Sequence, residues 1–250
     1  MTDFKKDAQD YAYDAMETWG SPEGDTALNE ALKLDPELPD ALWLQSSAID
    51  DPDEEHDLLL KALVSAESRL GKSFEKKYAG LFWGDIDTRP FMRILASLAE
   101  NAERRDSRSE TIQIYERMIK LNPNDNQGVR YPLICLYLAE RRLNKAQKLL
   151  DCYEGEDSAW FSWSRALLAF VQKDRPKATR LLKKARAQNP FVELYLSGQK
   201  QPEYLPEFYS HGDESEAICA FFDLVEPWSR RQNALLWLGG QLSGDSDYVR

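Results

Sequence analysis

The chain has 250 residues, 42% of them apolar and 30% charged, with 12 Gly and 12 Pro, a composition that fits a folded, helix-leaning protein and excludes collagen-like and disordered chains. Its net charge of −11 arises from 32 Lys and Arg against 43 Asp and Glu, which argues against a protein built wholly around phosphate neutralisation. The acid is concentrated at one end: residues 1–60 hold only Lys5, Lys6 and Lys33 against 17 acids, a net of −14, and the remainder sums to +3.

A helix-ending phrase recurs along the chain, as KLDP at Pro36, KLNP at Pro123 and AQNP at Pro190. Pro123 and Pro190 are 67 residues apart, close to twice the period of about 34 that marks a two-helix repeat. Counting each Pro as repeat position 32 sets a register. In the first unit Tyr11, Ala12 and Ala15 then fall at positions 7, 8 and 11, and Gly24, Leu28 and Ala31 at 20, 24 and 27. Residues 39–72 form a degenerate second unit, and a break near 73–91 follows, among Gly71, Gly80, Gly84 and Pro90. The third unit puts Leu98, Ala99 and Ala102 at 7, 8 and 11 and Tyr115 at 24, while Thr111 and Met118 fill 20 and 27 less faithfully. A fourth, between Pro123 and Ala159, spaces Leu133, Tyr137, Leu143, Ala146 and Leu150 as a helix pair would. The fifth, from Ala159, places Ala166, Ala178 and Ala185 at 8, 20 and 27, where helices cross too closely for larger side chains.

These residues resemble the tetratricopeptide repeat (TPR) over roughly residues 4–192. Each helix has apolar residues at i, i+3, i+4 and i+7, and each Pro follows a last turn it could not have continued. One helix pair cannot bury its own apolar stripe, so the units must stack. The expected fold is all-α: a right-handed superhelical solenoid of about five TPR-like helix pairs with a concave groove and a C-terminal capping helical module. Its expected divisions are acidic units at 1–72, a connecting segment at 73–91, further units at 92–192 and the module at 193–250.

In that module Pro202 and Pro206 punctuate a linker, and Asp213 with Glu216 reads as a capping box opening a helix through Ala217, Ile218, Phe221, Phe222 and Val225. Pro227 is expected to end it, a second short helix with Leu235, Leu236 and Leu238 to cover the open end of the stack, and the final SGDSDYVR to be mobile. The phrases DTRPFM, LNPNDNQGVRYPL, RALLAF, NPFVELYLSG and YSHGDESEAI resemble a group of small bacterial proteins that join TPR units to such a module. That resemblance implies a binding scaffold and carries over no catalytic residue.

In proteins this chain resembles, the first helix of each unit lines the groove. The corresponding residues here are Arg93 and Ser97, preceded by Arg89; then Asn126, Gln127, Arg130 and Tyr131; then Trp160, Trp163 and Ser164. Arginine offers a planar fork for carboxylate or phosphate, and Trp gives large contact area at low entropy cost. The competing structural role is that Arg130 pairs with an acid of its neighbour and Trp160 packs between repeats. The clamp for acidic C-terminal peptides in chaperone-binding relatives needs Lys and Asn where the first unit has Gln9 and Tyr13, which argues against that ligand.

A basic run, Lys173, Arg175, Lys177, Arg180, Lys183, Lys184 and Arg186, occupies the last repeat helix, and Arg89 to Arg186 nets +8. It is a solvated helix face or a patch for an acidic protein or nucleic acid. His56 and His211 sit among acids without a second His or Cys at ligand spacing. NPNDNQG lacks the later bidentate Glu of a calcium loop and reads as an inter-repeat turn with a helix N-cap. Cys135, Cys152 and Cys219 form no CxxC pair, and no apolar run reaches about 18 residues. The expectation is therefore a cytoplasmic, non-enzymatic adaptor with no cofactor or metal, whose partner is another protein or peptide rather than nucleic acid or membrane, with a homo-oligomer left open. The alternative is a structural subunit that docks by its faces into a larger assembly, with an acidic or nucleic-acid partner on the basic middle region.

Overall fold

The computed structural model describes residues 7–243, which form fourteen α-helices and no strand. They divide into two compact units, residues 1–128 and 129–250. The first holds α1 (Ala8–Glu17), α2 (Pro22–Leu34), α3 (Pro39–Ser46), α4 (Pro52–Leu70), α5 (Phe74–Lys77), a 3-10 turn (Ile86–Thr88), α6 (Arg89–Arg104) and α7 (Arg108–Leu121). The second holds α8 (Arg130–Ala139), α9 (Leu143–Cys152), α10 (Ala159–Val171), α11 (Arg175–Gln188), α12 (Val192–Leu196), α13 (Glu214–Ser229) and α14 (Gln232–Ser243).

Local chemistry explains where the repeat helices start and stop. Asp7 and Asp10 close a reciprocal capping box on α1, and Ser21 caps α2 with Pro22 in its first turn. α2, α7 and α11 end at Leu34, Leu121 and Gln188, each with one capping residue before Pro36, Pro123 and Pro190. The five expected hairpins are α1–α2, α3–α4, α6–α7, α8–α9 and α10–α11. Their small positions do what the register demands: Ala12, Ala15, Ala31, Ala99, Ala102, Ala146, Ala166, Ala178 and Ala185 are all fully buried. A Cβ added at Gly24 would come within 2.4 Å of the Thr18 carbonyl oxygen, so the close approach of α1 and α2 requires glycine there.

Within the first unit, α3 packs on α1 and α2, and α6 packs on α3 and α4. The break in the repeat is an ordered aromatic knot. Phe74, Phe82 and Phe91 lie edge-on or tilted at 5.2 to 6.0 Å, Phe82 and Phe91 are fully buried, and Arg117 stands over Phe91 while pairing with Glu67 and Glu75. Arg89 and Pro90 already belong to the first turn of α6.

Within the second unit, α10 packs on α8 and α9, and α13 lies against α8, α10 and α12. The C-terminal module thus takes the side of α8 and α10, with α14 resting on α13 and α10. One local expectation is corrected. Pro227 does not end α13 but sits inside it, because so near the C-terminus it forfeits a single backbone bond while Pro227 and Trp228 gain burial. The turn after Pro123 runs through Asp125 N–H to the Asn122 carbonyl and Gly128 N–H to the Asp125 carbonyl, and α8 starts behind Val129. The tail expected to be mobile lies, beyond Ser243, outside the described residues.

Candidate functional site

The first-helix face of the first unit is a polar ladder. Asp40 at the start of α3 is fully buried and accepts hydrogen bonds from Gln9 Nε2 of α1 at 2.8 Å and Arg93 Nη2 of α6 at 2.6 Å. A lone carboxylate there would be costly, and the paired guanidinium and amide satisfy it. One turn on, Trp43 donates its indole N–H to Ser97 Oγ at 2.8 Å, and the Arg93 guanidinium lies 5.7 Å from the Trp43 ring. Three successive first helices are therefore cross-tied by side chains. Tyr13, Trp43, Arg93 and Ser97 nonetheless keep part of their surface exposed. A cavity of about 250 Å³ adjoins this face, with Gln9, Tyr13, Leu38 and Ile86 in its wall.

The other expected residues of this unit are scattered around that ladder. Arg89 is exposed and donates from Nε to the Trp83 carbonyl at 3.3 Å, Asn126 is exposed, and Gln127 donates to the Met92 carbonyl at 3.3 Å. Asp40 and Trp43 escaped the sequence reading because their unit is degenerate. They stand at positions 2 and 5 of a repeat counted from Pro39, which was the available signal.

The same face of the second unit is occupied by the chain itself. Trp160, Trp163 and Ser164 do face the side where a groove was expected, but they are 4%, 0% and 0% exposed. Trp160 donates its indole N–H to Asp223 Oδ2 of α13 at 2.6 Å, stacks on Tyr131 at 4.9 Å and meets Tyr209 at 5.4 Å. Trp163 meets Trp228 of α13 edge-on at 5.9 Å. The expectation of an open groove at these three residues is thus corrected: an amphipathic helix of the same chain buries their apolar surface.

Arg130 takes the structural role. Its Nε and Nη2 reach Glu156 Oε2 at 3.0 and 2.7 Å, and its guanidinium lies 4.3 Å from the Tyr131 ring. Burial works to raise the Glu156 carboxyl, but the Arg130 bonds and the Ser158 backbone N–H hold it below the ordinary glutamate value. Burial drives the Tyr131 phenol far above its usual value, with Arg130 opposing.

Glu216 seals the arrangement. It is fully buried, with Oε1 accepting from the Ala159 backbone N–H at 3.0 Å and Oε2 from Gly212 N–H, Asn189 Nδ2 and Gln188 Nε2 at 2.8 to 3.1 Å. The expected capping box is therefore half made. Asp213 caps the Ser215 and Glu216 N–H groups, whereas the Glu216 carboxylate turns inward to the N-terminus of α10, where the helix dipole favours a negative charge. His211 Nδ1 lies 3.2 Å from the same carboxylate. Among the described residues no group of three His, Cys, Asp or Glu is arranged to hold a metal ion, and no helix is long and apolar enough to cross a membrane.

The hairpins and their fully buried alanines define an all-α protein of TPR-like helix pairs. No family model and no curated protein matches the chain. It is similar to a solved structure described as the functional characterization of Pseudomonas aeruginosa PilF, over 72% of this chain and 90% of that one, with 17% identity and a TM-score of 0.38. A likeness that weak leaves the functional reading to the side chains themselves.

Proposed function

We propose that the chain is a non-catalytic protein-interaction scaffold that binds an extended or helical segment of a partner on the α1, α3 and α6 face of its first unit. The observation that carries this reading is the contrast between the two units. In the second, the first-helix face is filled by α13; in the first, Tyr13, Trp43, Arg93 and Ser97 stay partly exposed on a cross-tied platform. A polar, aromatic and pre-organised surface is what a peptide site needs, since little ordering cost remains to be met on binding. Arg93 and Trp43 supply the charge and contact area, and Asp40 holds Arg93 in place. Photo-cross-linking from positions 13 and 97 of the full chain, with mapping of the trapped segment, tests it. Capture of one segment at both positions, with capture from position 13 lost in the Ser97→Lys variant, is the expected result; no capture there, with capture elsewhere, overturns it.

A second reading, a subunit that docks by its outer faces, is favoured by one feature of the C-terminal module. Tyr204, Leu205 and Phe208 are exposed large apolar side chains within residues 204–208 of it, and Phe222 is exposed on α13. Apolar patches of this kind mark interaction surfaces in soluble proteins.

A further inference from the structure

Two outer surfaces of the second unit are chemically complementary to each other. The first is the aromatic patch. The Cys219 thiol of α13 donates to the Pro206 carbonyl at 3.9 Å, which brings the backbone at Pro206 beside α13, three residues before Phe222. Phe222 meets Phe221 at 5.9 Å, and Phe221 meets Tyr195 at 5.8 Å. Phe208 is 86% exposed, and Glu203 and Glu207 stand between the apolar side chains, exposed and without a basic partner among the described residues. The patch is therefore apolar and negative.

The second surface is the outer side of α11. Lys177, Arg180 and Lys184 recur at helical spacing on α11, with Lys183 beside them, and Lys173 stands just ahead of the helix. Lys173, Arg180, Lys183 and Lys184 are exposed, and none of the five pairs with an acid among the described residues. The nearby Arg186 does pair, with Glu193 at 2.5 Å, and Arg175 lies 3.5 Å from the Phe170 ring centroid. Lysine and arginine bring long aliphatic stems as well as charge, so such a stripe suits aromatic rings interleaved with carboxylates.

We infer that the aromatic–acidic patch of one copy docks on the α11 stripe of a second copy, with Glu203 and Glu207 meeting Lys183, Lys184 and Arg180, and Tyr204 and Phe208 lying against the lysine stems. Charge decides the geometry. A two-fold dimer through the patch would set Glu203 and Glu207 against their own copies, whereas a head-to-tail contact sets acid against base. A head-to-tail contact also leaves a free patch and a free stripe at the two ends of every assembly, so it adds copies until it closes into a ring. The inference rests on the docking reading and is independent of the α1, α3 and α6 face.

Sedimentation velocity of the full chain across a concentration series, at low and high salt, tests the contact. Assembly should grow with concentration and dissolve as salt screens the charges. Glu203→Lys with Glu207→Lys should abolish it, and adding Lys183→Glu with Lys184→Glu to that same chain should restore it, which also shows that the first variant folds. Phe208→Ala should raise the concentration needed for assembly roughly ten-fold. A chain that is monomeric throughout, or an assembly indifferent to the Glu203 and Glu207 reversals, overturns the inference. A photo-cross-linker at position 208 separates the two readings: trapping residues 173–184 of another copy supports the inference, trapping a different protein overturns it while leaving the docking reading intact, and trapping nothing sinks both.

Discussion

Trp160 and Asp223 are joined by a 2.6 Å hydrogen bond across 63 residues of chain, an indole N–H on α10 meeting a carboxylate on α13. That pair, with Trp163 against Trp228 at 5.9 Å, means that the second unit has spent its first-helix face on itself. Asp223→Ala should leave the Trp160 N–H buried without its acceptor and cost about 1 to 3 kcal/mol. Trp228→Ala, which empties a fully buried site, should cost about 3 to 5 kcal/mol. Urea melts followed by tryptophan fluorescence check both, and equal small losses would mean that α13 is only loosely held.

Arg130 should behave as a structural residue. Its side chain is 16% exposed and its partner Glu156 17%, so removing the cation strands a largely buried carboxylate. Arg130→Ala should destabilise by about 1 to 3 kcal/mol, mostly below the range for breaking a fully buried pair because some solvent screening remains. A melting temperature within a degree of the parent would contradict that role.

Close helix crossings make two substitutions diagnostic of the register. Ala166 and Ala178 are fully buried where α10 packs on α11, and Ala166→Leu should cost about 1 to 3 kcal/mol by overpacking. Gly24→Ala forces a Cβ to within 2.4 Å of a backbone oxygen, which no rotamer change can relieve, and should cost at least as much. Denaturant midpoints unchanged by both would show that the helices sit farther apart.

Acid should act on the two units in opposite senses. The Glu156 carboxyl is held below the ordinary value of 4.5. A depressed carboxylate contributes stability above its unfolded pKa and loses it as pH falls through its folded pKa. In the first unit, burial raises Glu100 and Glu103 above 4.5. Their ionised forms oppose folding at neutral pH, and that opposition is relieved as pH falls through the raised values. Hydrogen exchange between about pH 5 and 3 should therefore show α8–α10 amides losing protection before those of α6 and α7. The reverse order would remove Glu156 as the acid-sensitive link.

The repeat was legible because its signals are local. A Pro after each hairpin, small residues at the crossings and apolar periodicity all act within about 34 residues, and the helices of the five pairs lie where those signals put them. What escaped the sequence reading lies in pairings of long range. Asp213 and Glu216 have the spacing of a capping box, yet Glu216 serves the N-terminus of α10, 57 residues earlier. Pro227 looks like a terminator until the burial of Trp228 outweighs the one bond it removes. Arg93 and Trp160 were both legible as first-helix residues, on α6 and α10. Whether that face stays accessible depended on α13, whose own pattern says that it is amphipathic and not what it covers.

Glu216 also bears on how the polypeptide emerges during synthesis. The carboxylate that completes the start of α10, and ties in Gln188, Asn189 and Gly212, is made more than fifty residues after that helix begins. On a ribosome the α10–α11 hairpin must therefore wait, with the aromatic side of Trp160 and Trp163 uncovered, until α13 has cleared the exit tunnel. A nascent chain halted near residue 200 would leave that aromatic side uncovered, while the first unit behind it would already be fully synthesised.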